Sequence, residues 1–127
     1  MKLGEIQKIY VGLNGILGKR IPMKVGFIIN RNLKKMQPII EDLDKVRNEA
    51  IEKYAEYDED GKPLTVENGG IRIKDVEGFT STINDVLDSD IDIEFDKFSM
   101  EDLEKCELDG YDKLTVAEQG VLEVMIS

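Results

Sequence analysis

The chain has 127 residues, of which 27 are Asp or Glu and 17 Lys or Arg, for a formal charge of −10 with no histidine. Without imidazole, the Ser-His-Asp and Cys-His catalytic arrangements and the His-based zinc sites are excluded, and the single cysteine, Cys106, closes no intrachain disulfide and builds no four-thiolate metal site. Aromatic residues are 6% and Trp is absent, so the core must be aliphatic and ring surfaces for stacking sugars or bases are scarce.

Leu3, Ile6, Ile9, Leu13, Ile16 and Leu17 recur at steps of three and four, which predicts an amphipathic helix of about 15 residues. Gly12, Gly15 and Gly18 lie on this segment and either permit a close helix contact or end the helix early. GLNGILGKR lacks the GxxxxGK[ST] spacing and the preceding strand of a phosphate loop, so nucleotide binding is not expected. The start MKLGEIQKIY has no continuous signal-peptide core, and no apolar run approaches the roughly 18 residues of a membrane span.

Pro22 suits the first position of a second helix, where its missing N–H costs nothing. Val25, Ile28, Ile29, Leu33, Met36, Ile40, Leu43, Val46, Ala50, Ile51 and Tyr54 then form the strongest periodic stripe of the chain. Pro38 falls inside it and predicts a kink near Lys34 to Pro38, or two helices with a short break. An arm of this length, roughly 50 Å, exceeds what a small domain covers by itself. The stripe of Val25, Ile28, Leu33, Met36, Ile40, Leu43, Val46, Ile51 and Tyr54 is therefore a candidate surface for self-association or a partner. The plain alternative is that the C-terminal half packs along it.

Beyond Tyr54, Asp60-Gly61 and Asn68-Gly69-Gly70 signal turns, and the runs Pro63 to Val66 and Ile71 to Ile73 read as a β-hairpin. Glu56, Asp58, Asp60, Gly61 and Glu67 fall at EF-hand loop positions, but the first is Glu rather than Asp, Pro63 removes a backbone donor, and no helix follows; an acidic turn without metal is the expectation. Asp75 caps a helix bearing Val76, Phe79, Ile83, Val86 and Leu87. SDIDIEFDKF alternates with period two and predicts a half-buried strand, Ile91, Ile93 and Phe95 inward, with Asp88, Asp90, Asp92, Glu94 and Asp96 outward. Ser99 to Asp102 and Thr115 to Glu118 start two short closing helices, the second with a capping box. Cys106 stands among acids, which disfavour the thiolate, so it reads as inert.

Charge is divided unevenly along this order. Residues 1–50 hold ten basic and five acidic side chains, net +5, and residues 51–127 hold seven basic and 22 acidic, net −15. The basic cluster Lys19, Arg20, Lys24, Arg31, Lys34 and Lys35 has no nucleic-acid-binding motif around it, so pairing with the acidic half is expected and direct nucleic-acid binding is not. The row Asp88 to Asp96 is a candidate imitation of nucleic-acid phosphates that would occupy a basic protein groove; the plain alternative is an edge strand kept soluble by charge.

Taken together, the elements predict an α+β fold in one domain over 1–127: an N-terminal helical hairpin with a long second helix (1–57), followed by a small antiparallel sheet with short helices (58–127). The order of KYAEYDEDGKP, IRIKD, IDIEF, SMEDLEKCEL and LTVAEQGVLEVMI resembles a family of small uncharacterised proteins of tailed phages and prophages. The resemblance implies a phage-encoded protein acting in the cytoplasm of a bacterial host; it brings no activity, cofactor or catalytic residue. The expected function is that of a non-enzymatic binding protein that antagonises a basic host protein, such as a defence nuclease, through the acidic row. The alternative is a structural or assembly protein that oligomerises through the long helix.

Overall fold

The computed structural model describes residues 1–67 and 69–127. Helix α1 runs over Leu3–Ile16, α2 over Met23–Tyr54, α3 over Val76–Leu87, α4 over Met100–Glu104 and α5 over Val116–Leu122, with short 3-10 turns after the last two at Lys105–Glu107 and Glu123–Met125. The periodic stripes and capping residues place these helices as the sequence predicts. Asp75 accepts from the Gly78 N–H, and Ser99 and Thr115 each form a reciprocal capping box.

Of the two outcomes expected at Pro38, the break does not occur: helix α2 is continuous through it. The expected fold class is corrected. No antiparallel sheet forms among the described residues: extended segments meet only at single bridges, so the fold is mostly helical rather than α+β. The turn residue Asn68 lies outside the described residues.

The reason differs between the two stretches expected to pair. Around the hairpin, Leu64 donates to the Glu56 carbonyl at 2.8 Å, Arg72 donates to Leu64 at 2.8 Å, and Glu56 donates to Arg72 at 2.9 Å. Each residue of this ring gives its N–H to one neighbour and its C=O to the other. An antiparallel ladder instead exchanges both bonds with a single partner, so the ring leaves three isolated bridges, Ala55 with Ile73, Tyr57 with Pro63 and Thr65 with Ile71. Around IDIEF, the neighbours are helix side chains and a chain terminus rather than strands.

The chain divides into two compact units, one of residues 1–39 with 90–127, the other of residues 40–89. The first buries Leu3, Ile6, Ile9, Leu13 and Ile16 of α1 with Val25, Ile28, Ile29, Leu33 and Met36 of α2, together with Phe95, Phe98, Leu114, Leu122 and Met125. Here α1 approaches α5 closely. A Cβ on Gly12 would stand 2.7 Å from a Val121 methyl, so this glycine serves the contact, whereas Gly15 has nothing within 4 Å. In the second unit, Leu43, Ala50 and Ala55 are buried, and Tyr54 meets Phe79 edge to face at 6.3 Å and hydrogen-bonds Thr82 at 3.0 Å. Among the described residues no helix is long and apolar enough to cross a membrane.

Candidate interaction surface

The basic and acidic halves of the chain meet inside the first unit. Lys19 pairs with Glu118 at 2.6 Å, Arg20 with Asp112 at 3.3 Å, Lys24 with Asp102 at 3.1 Å, and Arg31 and Lys35 both with Asp96, the lysine at 3.0 Å. Five of the six members of the N-terminal basic cluster are thereby neutralised within one unit. Lys34 is exposed. The Asp102 carboxylate, 6% exposed, accepts from the Ser99 N–H and hydroxyl as well as from Lys24, and the Ser99 backbone donor first, then Lys24, hold its pKa down to about 2. Arg31 and then Lys35 hold Asp96 below its ordinary value; the Arg20 N–H does so for Asp112, and Lys19 for Glu118.

The acidic row is not one continuous feature of the fold. Asp88 is the C-cap of α3 in the second unit, and Asp90 to Asp96 belong to the first. Asp96 is half-buried and committed to Arg31 and Lys35. Asp90, Asp92 and Glu94 are exposed, and among the described residues their carboxylates make no ion pair or hydrogen bond. Phe95 is buried and Ile91 and Ile93 are half-buried, so the alternation read from the sequence sets the two faces of the segment.

What holds this extended segment is a residue that sequence reasoning missed. Asn32 of α2, fully buried, donates its amide Nδ2 to the Asp96 carbonyl at 2.9 Å and accepts the Asp96 N–H on Oδ1 at 2.8 Å. A primary amide carries the same donor and acceptor pair as a peptide group, so Asn32 supplies the two hydrogen bonds that a neighbouring strand would supply. Lys35 adds a bond to the Glu94 carbonyl at 2.9 Å. At the other end, Ile91 donates to the Met1 carbonyl at 2.8 Å and accepts from the Met1 nitrogen at 3.3 Å. The only sequence signal for Asn32 is a polar residue on the otherwise apolar side of α2, flanked by Arg31 and Leu33.

Close by on α2, the Arg31 guanidinium also stands 5.8 Å from the Phe27 ring, which is 62% exposed, and Met23 one turn earlier is 90% exposed. Of the candidate stripe, Val25, Ile28, Leu33, Met36 and Leu43 are buried within the chain, and Ile40, Val46, Ile51 and Tyr54 are half-buried.

In the acidic turn, Asp58 spends one carboxylate oxygen on the Asp60 and Lys62 N–H groups at 2.9 Å each, and Gly61 adopts φ +79°. Among the described residues no group of three or more Asp, Glu or Cys is arranged to hold a metal ion. Cys106 is buried, and burial, then Glu107, pushes its thiol pKa up, away from the nucleophilic thiolate. Compared with known family models, with curated proteins and with solved structures, the chain matches none.

Proposed function

We propose that this chain is a non-enzymatic binding protein that acts by occupying the basic surface of another protein, with Asp90, Asp92 and Glu94 as the contact. The observation that carries the reading is the contrast within a single segment. Asp96 is neutralised by two cations, whereas the three carboxylates before it project from a fixed backbone with none. Carboxylates on successive same-face positions stand about 6.6 Å apart, and their mutual repulsion is relieved when a cationic surface closes over them. The resemblance to phage proteins supplies the setting: a bacterial host cell, with a nucleic-acid-binding host factor such as a defence nuclease as the class of target.

The competing reading, an assembly protein that oligomerises along α2, asks Val25, Ile28, Leu33, Met36 and Leu43 to be covered by another subunit. They are already buried by this chain, which favours the acidic-face reading.

Affinity capture from a bacterial lysate tests the proposal, with the wild-type chain and the D90K/D92K/E94K variant as parallel baits. The wild type is expected to retain a basic protein that is released by rising salt and absent from the variant. A partner retained equally by both baits, or none retained by the wild type, overturns it.

A further inference from the structure

Among the described residues, the segment from Ile91 to Asp96 is extended but joins no sheet, with a single bridge from Lys2 to Asp90 before it. Beyond Ile91, the backbone groups on one of its sides lack hydrogen-bond partners among the described residues. Backbone groups of a strand point alternately to its two sides. Glu94 and Asp96 turn theirs toward α2, where Lys35 and Asn32 meet them, and Ile91 turns its own the other way, toward Met1. Ile93 and Phe95 share the orientation of Ile91, and among the described residues their N–H and C=O groups have no hydrogen-bond partner. Extended backbone with unpaired N–H and C=O groups is a template for pairing with another chain.

We propose that this edge is completed by an extended segment of the protein partner, added as a β-strand beside Ile93 and Phe95, with lysine or arginine at alternate positions. The inference rests on the acidic-face reading and specifies how the partner is held. A residue paired with Ile93 places its own two neighbours opposite Asp92 and Glu94, on the outward face, where directly opposed Cβ atoms lie about 4.5–5.5 Å apart. Main-chain bonds then fix position, and the alternate cations answer the carboxylates. The Asn32 and Lys35 bonds on the far side hold the template in its extended form before the partner arrives, which lowers the ordering cost of binding.

The test uses the full chain and a short capped peptide of alternating lysine and valine. In the proposed register the valine N–H groups face Ile93 and Phe95, and the lysine N–H groups face away. Two control peptides of identical charge carry backbone N-methyl groups, one on the valines and one on the lysines. The unmodified and lysine-methylated peptides are expected to bind by titration calorimetry and to slow amide exchange at Ile93 and Phe95, and valine methylation is expected to weaken binding by at least about tenfold. Equal binding of all three peptides, or binding of none, overturns strand addition. If all three bind equally and D92K/E94K abolishes them, the acidic-face reading stands and only the strand pairing falls; if D92K/E94K changes nothing, the acidic-face reading falls as well.

Discussion

The two units of the chain use charge in opposite ways. Residues 1–39 with 90–127 hold eleven basic and thirteen acidic side chains, net −2, whereas residues 40–89 hold six and fourteen, net −8. In the first unit most ion pairs reach far along the chain, from Lys19 to Glu118 or Arg31 to Asp96, beside one local pair of Lys105 with Asp102; in the second, Arg47 meets Asp44 one turn away on its own helix and Arg72 meets Glu56 across the bridge ring. The +5 and −15 halves of the linear sequence are thus folded together in one unit, and most of the net charge stays in the other. Overall charge identifies neither the stitched region nor the three carboxylates left open at its surface.

This difference predicts where each perturbation acts. The largest effect is expected from Asn32→Leu, which fills the site but leaves the Asp96 N–H and C=O without partners, at a cost of about 2–3 kcal/mol. Urea unfolding with residue-resolved amide exchange should place that loss in residues 1–39 and 90–127; a loss below about 0.5 kcal/mol would mean that the segment is held by its apolar face alone.

A paired glycine experiment separates the units in the opposite sense. A Cβ on Gly78 would clash with the second oxygen of the Asp75 capping carboxylate and lie 2.8 Å from the Tyr54 ring, so Gly78→Ala should weaken the second unit by about 1–2 kcal/mol, after its gain in helix propensity. Gly15→Ala, with open space around it, should stabilise the first unit by up to about 1 kcal/mol. Melting curves that move in the same direction for both variants would contradict these packing assignments.

Acid gives a graded effect. Asp96, Asp102, Asp112 and Glu118 all bind protons more weakly in the fold than at their ordinary values, Asp102 down to about 2, and all four lie in the first unit. A lowered pKa means that the unfolded chain takes up protons first as pH falls. The stability these groups contribute is therefore full above about pH 5, declines as pH falls through about 4, and is lost as pH falls through the folded-state values, that of Asp102 being about 2. Urea midpoints followed by circular dichroism between those limits should fall steadily; a flat profile would show that the long-range pairs add nothing, as exposed ion pairs sometimes do.

How much of this was legible in the sequence depends on whether the signal was local. The helices of Leu3–Ile16 and Met23–Tyr54 follow from apolar spacing, and the Thr115 and Glu118 capping box follows from two residue types at a fixed offset. The inward and outward sides of IDIEF likewise follow from alternation. The neighbour of that segment did not, because period two states which side chains turn inward and is silent on what lies alongside; here it is the amide of Asn32, 64 positions away from Asp96. The hairpin reading holds only as one antiparallel bridge, Thr65 with Ile71, and grows into no sheet for a related reason. Its turn signals were local, but the ring through Glu56, Leu64 and Arg72 is set by a third segment. At Pro38, where a kink or a break is expected, the helix is continuous, since the apolar stripe on both sides outweighs one lost backbone bond.

The amide of Asn32 has one more consequence, which concerns register. A strand in a sheet is aligned by many rungs, and a slip of one residue turns every side chain to the opposite face. At this end of the segment the alignment is set by a few side chains of one helix, Asn32 and Lys35 on the backbone and Arg31 on Asp96, and a slip would carry Ile93 and Phe95 outward and the carboxylates into the apolar core. A neutral residue that touches none of the three open carboxylates thus contributes to the side on which they emerge. Loss of the amide at position 32 is therefore expected to loosen the acidic face without removing a single acid.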